Sequence, residues 1–423
     1  MKVLLLNQCF YPDVVATAQL LTHLAVGLAE KGHQVTVIAG DRGYDDPATR
    51  FVRRERWQGI TIIRIPSFAL GKHSKWRRAV NFASFLINCS LRLLLLPQFD
   101  VVVALTSPPL ISLLGSLFVR IKGGRFVFWV MDLNPDEAIA AGWLKENSLA
   151  GKILKSVLRY SLRHATCVIV LDRFMKERIL KHGTSGERIT VLPPWAHGDA
   201  VCFDEAGRRA FRERHNLSQN FVVMYAGNHS PCHPLNTLLE AALRLSERSE
   251  IAFCFVGGGT EQARVKAFAA EHKLNRISSL PYQPLKELGG SLSAADLHTV
   301  VMGDGFSGIV HPCKVYNILS VGTPFLYIGP PESYVTDIAA QATEGFAMYS
   351  ARHGEVDRVV AHILKAAEQK KSLEKGNCSE LASKFAKDAL LPRMIQLLES
   401  EDGCRVSQEA GADGRRQEKN CIP

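Results

Sequence analysis

The sequence lacks any C-x-x-C pair. Its ten cysteines stand singly, which argues against a zinc ribbon and a disulfide framework. Cys167 and Cys254 lie in apolar, strand-like runs, where a free thiol acts as a small hydrophobe, and this pattern fits a reducing cytoplasm. An uninterrupted apolar run of about 18 residues is also missing, so no spanning helix is expected. The nearest approach, AVNFASFLINCSLRLLLLP at 79–97, is broken by Asn81, Asn88 and Arg92. The opening MKVLLLNQCFYP has too short an apolar run, and no small-residue cleavage site, for a signal peptide. No glycine follows the first apolar strand, so the G-x-G-x-x-G fingerprint of dinucleotide binding is absent there. No RNA-binding aromatic motif or DNA-reading module is present, so nucleic acid is not an expected partner. Acidic residues are scarce in one region. Between Arg50 and Gln98, Glu55 stands alone against Arg50, Arg53, Arg54, Arg56, Arg64, Lys72, Lys75, Arg77, Arg78 and Arg92.

What is present is a regular alternation. At 423 residues the chain exceeds one ordinary core and suits two domains of roughly 180 residues. KVLLLN reads as a buried strand. Ala18, Leu21, Leu24, Ala25 and Leu28 recur at helical spacing, KGH ends that helix, and QVTVIAG is a second strand. Strand, helix, parallel strand opens a doubly wound sheet. GITIIRI, FDVVVALTS, GRFVFWVMD, ATCVIVLD and RITVLPP continue it. The rhythm restarts with FVVMYAG, IAFCFVGGG, ISSLPY, ADLHTVVM and TPFLYIG, with helices between. The expected fold is α/β, with two Rossmann-like domains facing a cleft, at 1–200 and 201–400. The polar segment 401–423 has no apolar periodicity and is expected to be a disordered tail.

Ligands of doubly wound sheets bind beyond the carboxyl ends of the strands, so the loops there carry the chemistry. After the first strand, Pro12 and Asp13 precede a helix whose N-terminus can face the cleft; an ordinary turn with Asp13 near the N-cap is an equal reading. FVFWVMDLNPDEA runs a strand into Asp132, Asp136 and Glu137. Clustered carboxylates at a strand tip are costly unless solvated, capping or functional. Asp136 reads as an N-cap, and Asp132 as the functional residue. YAGNHSPCHP offers Gly227 for a sharp turn, with Asn228 and His229 as donors to a phosphate. Cys232 and His233 lack further ligands for a metal. Gly257, Gly258 and Gly259 allow close approach of a ligand, or form a simple turn. In GDGFSGIVHPCKVYNILSVG, a Gly-rich loop leads into a helix start bearing Lys314. The half positive charge of the helix N-terminus and the whole charge of Lys314 suit a diphosphate.

FYPD, EKGHQVTVIAG, FWVMDLNPD, VLPPW, YAGNHS, FVGGGTEQ, SAADL and PCKVYNILSVGTP, in that order, resemble the GT-B glycosyltransferases of family 4. Within that family the chain is similar to the bacterial enzymes that build cell-surface polysaccharides on lipid carriers. The resemblance spans nearly all of residues 1–400. It implies a nucleotide-sugar co-substrate, of UDP or GDP type, held mainly by the C-terminal domain, with no cofactor or metal and with retention of configuration. It places Gly227, Asn228 and His229, with Gly257, Gly258 and Gly308, beside the donor, Tyr282 near the base, Lys314 on the phosphates and Asn317 at the ribose. Lys314 and Asp132 would be catalytic, Lys314 holding the leaving phosphate and Asp132 orienting the acceptor hydroxyl or the sugar. The sequence departs from the family's Glu-x7-Glu pattern, with Ile309 and Asn317 at those positions.

Lys72, Lys75, Trp76, Arg77 and Arg78 precede a long, mostly apolar helix, the composition of an interfacial anchor. A buried helix with a solvated basic end is the plainer reading. The expected partners are a nucleotide sugar, a lipid-linked glycan acceptor and an anionic membrane surface, with the protein cytoplasmic and bound peripherally to the inner face of the cell membrane. A GT-B scaffold without turnover, or a non-hydrolysing nucleotide-sugar 2-epimerase, are the alternatives.

Overall fold

The computed structural model describes residues 1–43, 46–68, 75–196, 201–342, 346–369 and 379–400, with the side chains of Lys75 and Arg78 left out. The tail expected at 401–423 lies outside the described residues, as does Lys72. Apolar runs that alternate with helices give two sheets. The first contains β1 (Lys2–Leu6), β2 (Gln34–Gly40), β3 (Arg54–Trp57), β4 (Ile60–Ile65), β5 (Val101–Ala104), β6 (Arg125–Trp129), β7 (Cys167–Val170) and β8 (Ile189–Val191). Their order is β3-β4-β2-β1-β5-β6-β7-β8, parallel except where β3 meets β4. The second contains β9 (Phe221–Ala226), β10 (Ile251–Val256), β11 (Ile277–Leu280), β12 (Leu297–Val301), β13 (Phe325–Ile328) and β14 (Met348–Ala351). It is ordered β11-β10-β9-β12-β13-β14. Strands such as Val101–Ala104 are buried along their whole length, as expected when helices cover both faces of a parallel sheet.

This order sets the geography of the site. In each sheet the winding reverses beside its first strand, between β1 and β5 and between β9 and β12. The loops that follow those strands therefore open into a crevice. In the first half, the buried Asn7 ties two of them together. Its Nδ2 donates to the Cys9 carbonyl at 2.7 Å, and its Oδ1 accepts from Ser107 N at 3.3 Å.

Three sequence readings change. Cys167 is disulfide-bonded, whereas Cys254 is free and buried; scattered single cysteines do not reveal a pairing made by the fold. Arg64 does not contribute to a surface patch. It is buried and donates to Glu55 at 2.8 Å and to the Tyr11 carbonyl at 2.7 Å. The two charges offset each other, and the link fixes the loop after β1 to β4. The final helix, Lys387–Glu399, packs on the first half rather than the second. Leu391 and Ile395 sit against Gly27 of the helix Ala16–Glu30, and Arg125 donates to the carbonyls of Leu398 and Ser400 at 2.7 and 2.5 Å.

Candidate active site

In the second half, the loops after β9 and β10 press against each other. A Cβ on Gly257 would lie 2.0 Å from the Gly227 carbonyl, and one on Gly259 would lie 2.3 Å from that of His229. Both Gly227 and Gly257 hold φ +136°, a conformation only glycine adopts without strain. His229 N donates to the Gly258 carbonyl at 2.7 Å, and the Tyr225 hydroxyl donates to that of Asn228 at 2.6 Å. Asn228 is exposed at the loop tip. Tyr282, half exposed, lays its ring against Gly258. This wall is open to a flat ring such as a nucleobase.

Lys314 opens the helix Lys314–Val321, with Cys313 as N-cap and no side-chain cap. Its Nζ is buried without a hydrogen-bond partner. It lies 3.6 Å from the centre of the Tyr225 ring and 3.1 Å from the point a Cβ on Gly227 would occupy. Burial pushes its pKa down to about 7. His229 lies beside it, fully buried, with both ring nitrogens unpartnered. Burial, and secondarily the Lys314 charge, pushes that imidazole down to about 4. Buried polar groups are almost always paired. Orphaned donors at a helix N-terminus, under a glycine that leaves room for close approach, have the chemistry to receive an anion. Asn317 lies one turn further along, three residues from Lys314 and on the same helix face. His233 is committed elsewhere, with Nδ1 at 2.8 Å from the Val301 carbonyl. Among the described residues no group of three His, Cys, Asp or Glu side chains is placed to hold a metal ion.

Facing this wall is the tip of β6. Leu133 N donates to the Ile309 carbonyl at 2.9 Å, which joins the first half to the Gly-rich loop five residues before Lys314. Asp132 stands next to Leu133, and burial together with Glu137 pushes its carboxyl up to about 7. Glu137 reaches across and accepts from Cys232 Sγ at 3.8 Å. Asp136 is the first residue of the helix Asp136–Ala140 and does not cap it; the N-cap is Pro135. Its carboxylate lies 3.6 Å from His182 Nε2. Burial alone would raise its pKa, but His182 and the nearby basic residues hold it below the ordinary carboxylate range. Pro12 is exposed. Asp13 precedes the N-cap Val15 of the helix Ala16–Glu30, and no side chain caps that helix.

One member of the sequence-derived set sits differently, and Ile309, which stands where the family has a glutamate, is explained by the fold. Gly308, at φ +71°, backs onto Phe174 of the first half, where a Cβ would meet its backbone at 2.6 Å. Ile309 is buried in the apolar core between the halves, so a glutamate there would be a buried charge without water. The sequence reading missed Tyr225, which carries the Lys314 ammonium on its ring face. It also missed Asp172. His311 Nδ1–H donates to Asp172 Oδ2 at 2.7 Å, the Tyr316 hydroxyl meets His311 Nε2 at 2.6 Å, and the Tyr334 ring stacks on the imidazole at 3.7 Å. An aspartate directly after an apolar strand was the only available signal.

The family profile described as a glycosyl transferase 4-like domain matches residues 16–195. The chain is 26% identical over 339 residues to a putative colanic acid biosynthesis glycosyl transferase, WcaI, of Escherichia coli strain K12, across 76% of this chain and 82% of that one. Its fold is similar to that of a sucrose-phosphate synthase from Thermosynechococcus elongatus, with TM-score 0.74 and 15% identity over 94% and 98% of the two chains. It is also similar to Anabaena HepE in complex with UDP and glucose, with TM-score 0.69 and 15% identity over 95% and 100%. The matched domain at 16–195, the glycosyltransferase relative and the shared two-sheet architecture show a glycosyltransferase with the GT-B fold, whose first half is similar to the family 4 type.

Proposed function

We propose that the chain transfers a sugar, with retention and without a metal ion, from a nucleoside-diphosphate sugar to a lipid-linked acceptor in cell-surface polysaccharide synthesis. The observation that carries this is the buried, unpartnered Lys314 Nζ at a helix N-terminus under Gly227. A leaving diphosphate gains charge as the glycosidic bond breaks. A preorganised ammonium and helix dipole in a dry site favour that state over the ground state. The solved relative HepE is in complex with UDP and glucose, and WcaI is named for colanic acid biosynthesis. Both agree with this reading.

Asp132, across from the Gly-rich loop, is the residue to orient the acceptor hydroxyl or the sugar. The helix Lys75–Leu94 supports a membrane-facing acceptor domain. Trp76 (59% exposed), Ile87, Leu91 and Leu94 lie along its exposed side, with Leu95 (77% exposed) just past its end, and Arg77 sits over the Trp76 ring at 5.5 Å. No helix among the described residues is long and apolar enough to cross a membrane, so the proposed attachment is peripheral, at the cytoplasmic face.

The test is incubation with a panel of labelled UDP- and GDP-sugars and a bacterial lipid extract, with EDTA present. Label entering the organic phase supports the reading. Nucleotide binding with no transfer from any donor would favour a scaffold, and a free epimerised sugar nucleotide would favour an epimerase.

A further inference from the structure

The first half holds a second cavity, separate from the Lys314 wall. It has a volume of about 90 Å³ and is lined by Leu105, Leu110, Phe128, Leu154 and Val157, and by Asp132. It lies beyond the carboxyl ends of β5 and β6, where doubly wound sheets hold ligands. Its lining is chiefly apolar. Of the few hydroxyls there, that of Ser112 already donates to Ser161 at 3.1 Å. Thr106, Asp132 and Asn134 add a few polar groups, but apolar side chains outnumber them, so the interior suits hydrocarbon better than a ring with hydroxyls on every side. A cavity of about 150 Å³ holds benzene, so this one, at about 90 Å³, has room for about three or four carbons of a chain.

A route leads into it. On the helix Leu149–His164, Leu149 (75% exposed), Ile153 (52% exposed) and Val157 follow one another at four-residue spacing. They form one apolar stripe running from the surface to the cavity wall. The same helix carries Lys152, Lys155, Arg159 and Arg163 and no acidic residue. Apolar residues leading into a pocket, with cations alongside, match an amphiphile that has a hydrocarbon chain and an anionic head.

We infer that this cavity seats the hydrocarbon next to the phosphate of the lipid carrier, with the chain following Val157, Ile153 and Leu149 outward and the phosphate beside the basic face of that helix. The inference rests on the lipid-linked acceptor proposed above. It adds a place for the lipid, beside Asp132, which would bring the acceptor's reacting end towards the donor.

The test is calorimetric titration of the full chain, without donor, with farnesyl phosphate and, separately, inorganic phosphate; UDP serves as a control ligand. Farnesyl phosphate is expected to bind saturably and inorganic phosphate not to displace it. Ile153→Asp, an exposed change that leaves the fold undisturbed, and Ala138→Phe, which fills the cavity, should each weaken farnesyl phosphate at least tenfold while UDP binding stays within about twofold. No saturable binding to wild type, displacement by inorganic phosphate alone, or equal affinity in both variants would overturn the inference. The acceptor reading fails separately, if transferred label stays in the aqueous phase while farnesyl phosphate still binds.

Discussion

Lys314 and Asp132 face one crevice with opposite perturbations. Burial lowers the ammonium to about 7, while burial and the neighbouring Glu137 raise the carboxyl to about 7. Near neutral pH the empty site therefore avoids holding either charge in full. A bound diphosphate changes this for Lys314, because an adjacent anion favours the charged amine. Binding then takes up a proton at any pH above about 7. It follows that UDP affinity should be flat below neutrality and fall by up to about tenfold per pH unit above it, until the bound-state pKa is reached. His229, lowered to about 4, stays neutral throughout and contributes no slope. Calorimetry between pH 6 and 9 reads this directly. Asp132, ionising over the same range, adds repulsion above neutrality, so Lys314→Met should bind more weakly at low pH and keep only a shallower dependence, whereas a wild-type profile no steeper than the variant's would count against Lys314 as the anion's partner.

At the scale of elements, one side chain ties the halves. Asp172 caps the helix Arg173–Lys181, accepting from Met175 N at 2.8 Å, and accepts a hydrogen bond from His311 Nδ1 at 2.7 Å with its other oxygen. His311 in turn leads into the helix that Lys314 begins. Hydrogen bonds to charged groups contribute about 1.5–3 kcal/mol, and a lost Asp cap costs about 1 kcal/mol. Urea unfolding should therefore rank Asp172→Ala as more damaging than His311→Ala, with Asp172→Asn milder than either because asparagine still caps. Equal midpoints for all three would contradict the link. This bridge also shows where sequence reading reached its limit. Loops at strand ends were legible, since apolar runs and glycines mark them, and Gly227, His229 and Lys314 do converge. Which loops face each other depends on sheet order, so Gly308 ended against Phe174 of the first half. Short strands were hidden too. β3 reads RERW, too brief and charged for a clear period, and β14 was missed beside the better-marked β13. The destination of the helix Lys387–Glu399 was likewise unreadable, because an apolar stripe does not say which sheet it will cover.

For the whole molecule, the formal charge of +10 and the exposed apolar side of the helix Lys75–Leu94 act together. On the proposed peripheral attachment, basic residues would draw the first half to an anionic surface, and Leu91, Leu94 and Leu95 would then enter the interface. Vesicles containing phosphatidylglycerol should float the protein, neutral phosphatidylcholine vesicles should float it weakly, and added salt should reduce the difference. Leu91→Glu with Leu95→Glu, both at exposed positions, should abolish flotation without altering UDP binding; unchanged flotation would remove this face from the account. The helix Lys387–Glu399 returns across the first half and so links the two halves by packing as well as by the chain. The central claim is that Lys314 holds the departing diphosphate, and it is tested most directly by the transfer rate of Lys314→Ala with saturating donor. The account predicts a fall in kcat of about 100-fold or more, on the scale of losing one transition-state donor; turnover equal to wild type would contradict it.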